Sequence, residues 1–468
     1  MQTRGKNIDN LMGSPRRALL TMSLPLLFAL IVENLQSFID GVWCSGLGSD
    51  AMSAISLSHP IYAMIAGVGT GIGIGASAAI ARFIGAGDSE SAGNAASVSI
   101  LLSLLLSILM TVCLWFAAEP LISFCSNGEN LELCMEYTRP ILTSSFFLTM
   151  NAVWAGMLRA EGAARRSMFL SITASIVNII LDPILIYGLD LGVTGASLAT
   201  CISFIVITAI GFWWYLSGKT YVRLDTRRFR MQKAALVEVL IIAVPCIIEM
   251  IIQPIIMVPQ NAIIYDAGGE EGFVSYIYSF RFVTITLIPV VAISKSLIPI
   301  VSAGMGAKKP DMILESCRLA YKYTLIFEAF CTVFILITAD YLVMAFMGSE
   351  SMMAIHDQMA LALRIFSLTC VLHTFRILGN SIMQATRHAA TSSALTIARE
   401  FVFLIGFAIA ANMVFEAIYW SCIITNFVMM FIITLLAKYY LKDMIERMHE
   451  DEIPKTTVRC DLLSYTSL

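Results

Sequence analysis

Apolar residues in this chain do not alternate with polar ones. They gather in long runs separated by short polar segments. Runs of helical length cover roughly 18–42, 55–80, 95–117, 139–158, 168–189 and 193–216, then 237–263, 273–301, 317–338, 358–383, 394–411 and 417–437. Each can cross about 30 Å of hydrocarbon as an α-helix. The pattern predicts an all-α polytopic membrane protein with twelve transmembrane helices.

Composition supports this reading. Of the 468 residues 58% are apolar and 13% are charged, roughly half the charged share of about 25% in soluble domains. No soluble fold hides that much apolar surface. No small-residue cleavage site follows the first run, and Glu33 interrupts it, which argues against a cleaved signal peptide. No lipidation pattern ends the chain. The 11 cysteines lack metal-ligand spacing and read as small core residues; Cys125 and Cys134 fall close enough in one outer loop to pair.

Charge placement tests the number of runs. With a cytoplasmic N-terminus, most of the 30 Lys and Arg fall on inner segments, among them Arg16, Arg17, Arg82, Arg165, Arg166, Lys219, Lys308, Lys309 and Arg387. The outer connections carry acids instead, including Asp50, Glu132, Asp190, Asp266, Glu271, Asp357 and Glu416. One miscounted run would invert every later loop, so the positive-inside bias fixes twelve spans with both termini inside, in the cell membrane.

The longest basic inner loop, 217–236, divides the chain into halves. Leu24-Pro25 matches Val244-Pro245, Gly85-Ala-Gly-Asp88 matches Gly306-Ala-Lys-Lys309, and Met157-Leu-Arg-Ala160 matches Ile382-Met-Gln-Ala385. Six spans per half is an even number, so the repeats share one orientation. The expected architecture is two six-helix lobes related by a parallel internal repeat, 1–225 with a cation site and 226–468 with the tail. The substrate cavity is expected between them. In the second run, Gly67, Gly71 and Gly75 recur at spacing four. That face suits close helix packing or a surface for sliding. A dinucleotide loop is excluded, because no strand precedes it.

Ionisable residues at membrane depth are costly, about 2.5–3.5 kcal/mol each on insertion scales, and therefore point to function. Asn178 and Asp182 lie four apart on one helical face, and Pro183 loosens the helix beside them. A freed carbonyl, an amide and a carboxylate suit Na⁺ or H⁺. Glu33, Gln36 and Asp40 share a face of the first run, where Asp40 reads either as a site residue or as a helix end facing water. Glu249, Gln253 and Gln260 repeat that geometry in the seventh, with Pro254 and Pro259 expected to bend it. Gln260 aligns with Asp40, which leaves the second half without the matching acid and suggests one ion site. Glu33, Gln36, Glu249, Gln253, Lys295 and Arg376 are candidates for the substrate cavity. Lys295 and Arg376 either neutralise Glu249 or form structural salt bridges, and His373 reads as a core histidine.

Together these pieces resemble the multidrug and toxic compound extrusion (MATE) transporters, chiefly the prokaryotic branch. The resemblance rests on Pro25 with Asp40, Ala81-Arg82 through Asp88, Leu158-Arg-Ala-Glu-Gly162, Asn178 through Pro183, Gly192-Val-Thr-Gly-Ala196 with Thr200, Pro299 with Gly306 through Lys309, and Gln384-Ala385. It implies a two-lobed bundle and ion-driven efflux. By position it implies a cation site of Asp40, Asn178, Asp182 and Thr200, with Tyr137 beside them. If the ion is Na⁺, Asp40, Asp182 and Asn178 are its ligands. The chain departs from the family in the last run, where Asn426 follows Trp420 in place of an Asp, and at Lys295, where a neutral polar residue is usual.

The expected function is antiport by alternating access: drugs or other amphipathic organic molecules leave in exchange for Na⁺ or H⁺. No cofactor besides the coupling ion is expected, no nucleic-acid partner, and a monomer in the bilayer. Ion-driven efflux does not require ATP, and no P-loop is present. The alternative is a flippase for lipid-linked precursors, which needs a strongly basic central cavity; Lys295, Arg376 and Arg364 are the available cations. An integral membrane enzyme is a third class, disfavoured because no two of the five histidines share a helical spacing.

Overall fold

A computed structural model describes residues 8–126, 130–224, 231–344, 353 and 355–452. The boundary between 225 and 226, the Cys125 side chain and the end of the tail lie outside the described residues. In the first half, α1 is Pro15–Ser45, α2 Ser49–Gly85, α3 Ser89–Ser126, α4 Leu131–Thr143, α5 Ser145–Ala160, α6 Ala164–Pro183 and α7 Gly192–Leu216. In the second, α8 is Lys233–Thr286, α9 Ile288–Gly306, α10 Pro310–Met344, α11 His356–Ser367, α12 Thr369–Ala385, α13 Ala389–Ala410 and α14 Glu416–Glu452. The pairs α4–α5 and α11–α12 each form one broken span, bent by 57° and 41°. Counted so, the helices provide the twelve spans expected.

The internal repeat is visible in backbone conformation. After α2 the chain turns through Gly87 at φ 77°, and after α9 through Lys308 at φ 53°. After α5 it turns through Gly162 at φ 72°, and after α12 through Arg387 at φ 69°. Each turn closes with the same hydrogen bond, from Asp88, Lys309, Ala163 and His388 N–H to the carbonyls of Phe83, Gly304, Leu158 and Met383. This is the Schellman ending of a helix. The matched motifs are thus matched caps, and glycine or a basic residue fills the left-handed position in each.

Two boundaries differ from expectation. Backbone angles stay helical through Pro254 and Pro259, and the break in α8 comes at Gly269 (φ 61°, ψ −165°), where glycine alone tolerates the angle. The eighth run is not one helix either. It stops at Leu287, because Pro289 lacks an N–H and starts α9 afresh.

The core sits around α2. Of its most apolar 18-residue window 72% is buried, against 17% for α3, so α2 is central and α3 faces lipid. Glycines explain how α2 fits. A Cβ on Gly69 or Gly73 would lie 2.6 and 2.5 Å from the carbonyls of Thr149 and Ala152 on α5. On the opposite face, a Cβ on Gly75 would lie 2.7 Å from the Val239 carbonyl of α8, and one on Gly67 equally near Met250. The spacing-four glycine face is therefore the contact between the two lobes.

The hydrogen bonds that join the lobes gather at the end where the basic residues lie. Arg82 pairs with Glu238 and donates to the Ala385 carbonyl at 2.8 Å, and Gln232 N–H donates to Asn94 at 3.1 Å. Toward the acidic end, Ser56, His59 and Pro60 of α2 and Gln253, Pro254 and Met257 of α8 line a cavity instead. The lobes are closed at the basic face and parted toward the acidic one.

Candidate cation chamber and inter-lobe cleft

Asp182 stands one residue before the proline that ends α6. Beyond Pro183 the chain continues as a π-helical turn, Ile184–Gly188, with the Leu189 N–H reaching the Ile184 carbonyl. Such wide turns often accompany functional sites. Tyr187 in this turn donates its hydroxyl to the Trp43 carbonyl at 2.5 Å and packs edge-on to the Trp43 ring. That clip fixes the end of α1 against the end of α6. Asp40 and Asp182 line one chamber, and Asn178 is within reach of both. Asp182 is 2% exposed, so it is no helix-end residue facing water, and α1 runs on to Ser45 beyond Asp40.

Asn178 lies between the two acids. One end of its amide is 3.4 Å from Asp182 Oδ1 and 3.4 Å from Thr200 Oγ1. The other end faces Asp40, 3.0 and 3.2 Å from its two oxygens, and donates to both when the NH₂ is turned that way. Gln36 donates to Asp40 at 3.3 Å and also meets Asn178. Gln36 therefore belongs with the acid pair and not with the substrate cavity. Gln36, Asp40, Asp182, Thr200 and Tyr137 line one chamber of 480 Å³, and Asn178 bonds to Asp182 and Thr200 of that lining. Two carboxylates this close repel strongly when both are charged. A proton or cation between them removes the repulsion.

A second cavity, of 350 Å³, lies between the lobes. Glu33, Arg159, Lys295 and Arg376 line it. Glu33, Asn151 and Ser171 line both this cleft and the chamber, so the two spaces adjoin at Glu33. Other expectations fail here. Glu249 is buried but lines neither cavity, and no ion pair joins it to Lys295 or Arg376 among the described residues. Arg376 instead donates to His373 Nδ1, at 3.2 and 3.4 Å from its two nearest nitrogens. His373 Nε2 is left buried without a partner, so this histidine is only half satisfied. Gln253 lines the other inter-lobe cavity, the one toward the acidic end, and not the cleft around Lys295. Arg364 pairs with Asp340 at 2.6 Å and does not line the cleft.

The second lobe replaces the acid site with aromatics. The register that brings Gly162 onto Arg387 takes Asn178 to Phe403 and Asp182 to Phe407. These rings stack at 5.7 Å and line a cavity of 630 Å³ with Tyr276 and Phe366. Gln260 donates to the Glu400 carbonyl at 2.9 Å, and Arg399 pairs with Glu400. In the sequence this buried pair shows only as two adjacent charges inside the apolar run 394–411. Glu328, a lone acid inside the run 317–338, is likewise fully buried.

The MatE family profile matches residues 25–184 and 245–410. Multidrug export protein MepA of Staphylococcus saprophyticus is 24% identical over 431 residues, which is 91% of this chain and 94% of that protein. A FAD transporter of Shewanella oneidensis is 28% identical over 335 residues, 69% of this chain and 73% of its own length. A solved structure described as the outward-facing conformation of a multidrug resistance MATE family transporter superposes with a TM-score of 0.89 at 29% identity, covering 94% of this chain and 98% of that one.

Proposed function

This chain belongs to the MATE family, and on that premise we propose that it exports drugs and other amphipathic organic molecules by ion-driven antiport. It is a multi-pass membrane protein that works by alternating access. Relatives named as multidrug export proteins favour this reading over a lipid-linked precursor flippase. The basic face is cytoplasmic, the membrane is the plasma membrane, and the working unit is a monomer without catalytic activity.

One observation carries the mechanism: Asp40 and Asp182 meet in a chamber with Asn178 between them. In the state described here the lobes are closed at the basic face. A cation, Na⁺ or H⁺, enters from the acidic face and settles between the two carboxylates. Amide and hydroxyl oxygens of Asn178, Gln36 and Thr200 complete the site, with Tyr137 at its edge. Removing the repulsion lets α1 repack against α6, which narrows the space left for substrate and releases it outward. The emptied protein then parts along the glycine face of α2 and closes on the other side.

The energy suffices without ATP. One ion moving down 100 mV releases about 2.3 kcal/mol, enough for a roughly fiftyfold substrate gradient at about 1.4 kcal/mol per tenfold. Proteoliposomes holding the purified chain test the reading: dye efflux is followed with a Na⁺ gradient or a pH gradient imposed alone. Efflux driven by one gradient and abolished by collapsing it is expected. Equal efflux with no gradient would contradict antiport.

A further inference from the structure

The inter-lobe cleft contains more positive than negative charge. Arg159 on α5 is 9% exposed, and its Nε is buried without a hydrogen-bond partner. Lys295 lies near the middle of α9. Both feel the field of one carboxylate, Glu33. Arg376 spends its hydrogen bonds on the neutral imidazole of His373. Its acidic neighbours are Glu249, which does not reach the cleft lining, and Glu400, already paired with Arg399. Three cations therefore converge on a cavity whose lining holds one acid.

Burying unbalanced charge is costly unless a counter-charge arrives. A cleft built for organic cations needs the opposite balance. Apolar walls complete the cavity: Leu26 and Leu30 from one lobe, Met250 and Ile298 from the other. We propose that the exported substrate is an amphipathic carboxylate, which seats between Arg159, Lys295 and Arg376. This rests on the export reading above and names its substrate class. A guanidinium offers a planar fork for carboxylate oxygens, while Lys295 acts as a point charge. Lys295 is then a specificity residue, because it adds a full charge in mid-membrane from the second lobe. Its acidic ligand is held only while the lobes are together, so parting them weakens the grip. Glu33 competes for the same cations, which keeps the empty cleft from collapsing around an unpaired charge.

The test uses three aromatic fluorophores, each prepared with a carboxylate arm and with a trimethylammonium arm. Gradient-driven efflux of both forms is measured in proteoliposomes with the full chain. The carboxylates are expected to move and the ammonium forms to lag. Lys295→Ala is expected to lower carboxylate transport about tenfold and leave ammonium transport equal or higher, while Lys295→Arg restores the carboxylates. Each variant's gel-filtration profile and melting temperature are compared with the unaltered chain. Faster transport of the ammonium forms, or equal loss of both forms in Lys295→Ala, overturns the proposal and leaves antiport standing. No gradient-driven movement of any probe overturns the export reading as well.

Discussion

Arg82 at the end of α2 and Glu238 near the start of α8 form a buried ion pair between the lobes, and Arg387 reaches the same carboxylate. Arg82 also donates to the Ala385 carbonyl. Removing one partner of a buried pair strands the other, at about 3–5 kcal/mol. Glu238→Gln is therefore expected to loosen the basic end of the interface. Hydrogen–deuterium exchange should quicken in 82–90 and 303–310 and stay unchanged in 178–200. Unchanged exchange at the basic end would show that the pair does not hold the lobes.

The glycine face of α2 makes a contrasting prediction. A Cβ on Gly71 would fall 2.8 Å from the Ile247 backbone nitrogen, whereas one on Gly41 meets nothing within 4 Å. Gly71→Ala is expected to lower stability by about 1–3 kcal/mol through overpacking. Gly41→Ala should be neutral or stabilising by up to about 1 kcal/mol, since alanine is the better helix former. Thermal unfolding of the purified variants checks both; equal midpoints would deny the close approach of α2 and α8.

Glu161 lies in the short connection between α5 and α6, beyond the spans. Burial pushes its carboxyl up to about 7, while the Tyr221 N–H bond opposes that rise. A carboxyl whose folded value is raised takes up protons on folding, so its contribution to stability is full below about 4.5 and is lost as pH rises through about 7. The melting temperature is expected to fall between pH 5 and pH 8, and Glu161→Gln should flatten that fall. An identical slope in the variant would contradict this.

Much of the architecture was readable because a bilayer leaves the chain few choices. Backbone groups in hydrocarbon must bond within their own segment, so run length gave the spans, and charge placement gave their alternation. Asn178, Asp182 and Asp40 stood out as polar groups inside apolar runs, and their helical spacing indicated shared faces. What spacing does not contain is which faces meet. Gln36 shares a helical face with Glu33, yet the packing of α1 on α6 turns it to Asn178. Glu249 lies on a plausible face of α8, but α13 covers it. Arg159 stands in the last turn of α5 and lines the cleft.

A conservative exchange separates the chamber from its surroundings. Asn178→Leu removes both amide ends that bridge Asp40 and Asp182 and keeps the side chain's approximate size. Ion affinity is expected to fall at least tenfold, about 1.4 kcal/mol, with the fold intact. Transport measured against ion concentration should show a higher half-saturation point; an unchanged one would remove Asn178 from the site.

The central claim is that Asp40 and Asp182 exchange their repulsion for a cation and so drive export. The most direct measurement is gradient-driven dye efflux from proteoliposomes containing Asp40→Asn or Asp182→Asn, compared with the unaltered chain at equal protein. Each variant keeps the side chain's size but lacks the charge, so each is expected to lose gradient-driven efflux while still binding dye. Full efflux by both variants would contradict the account.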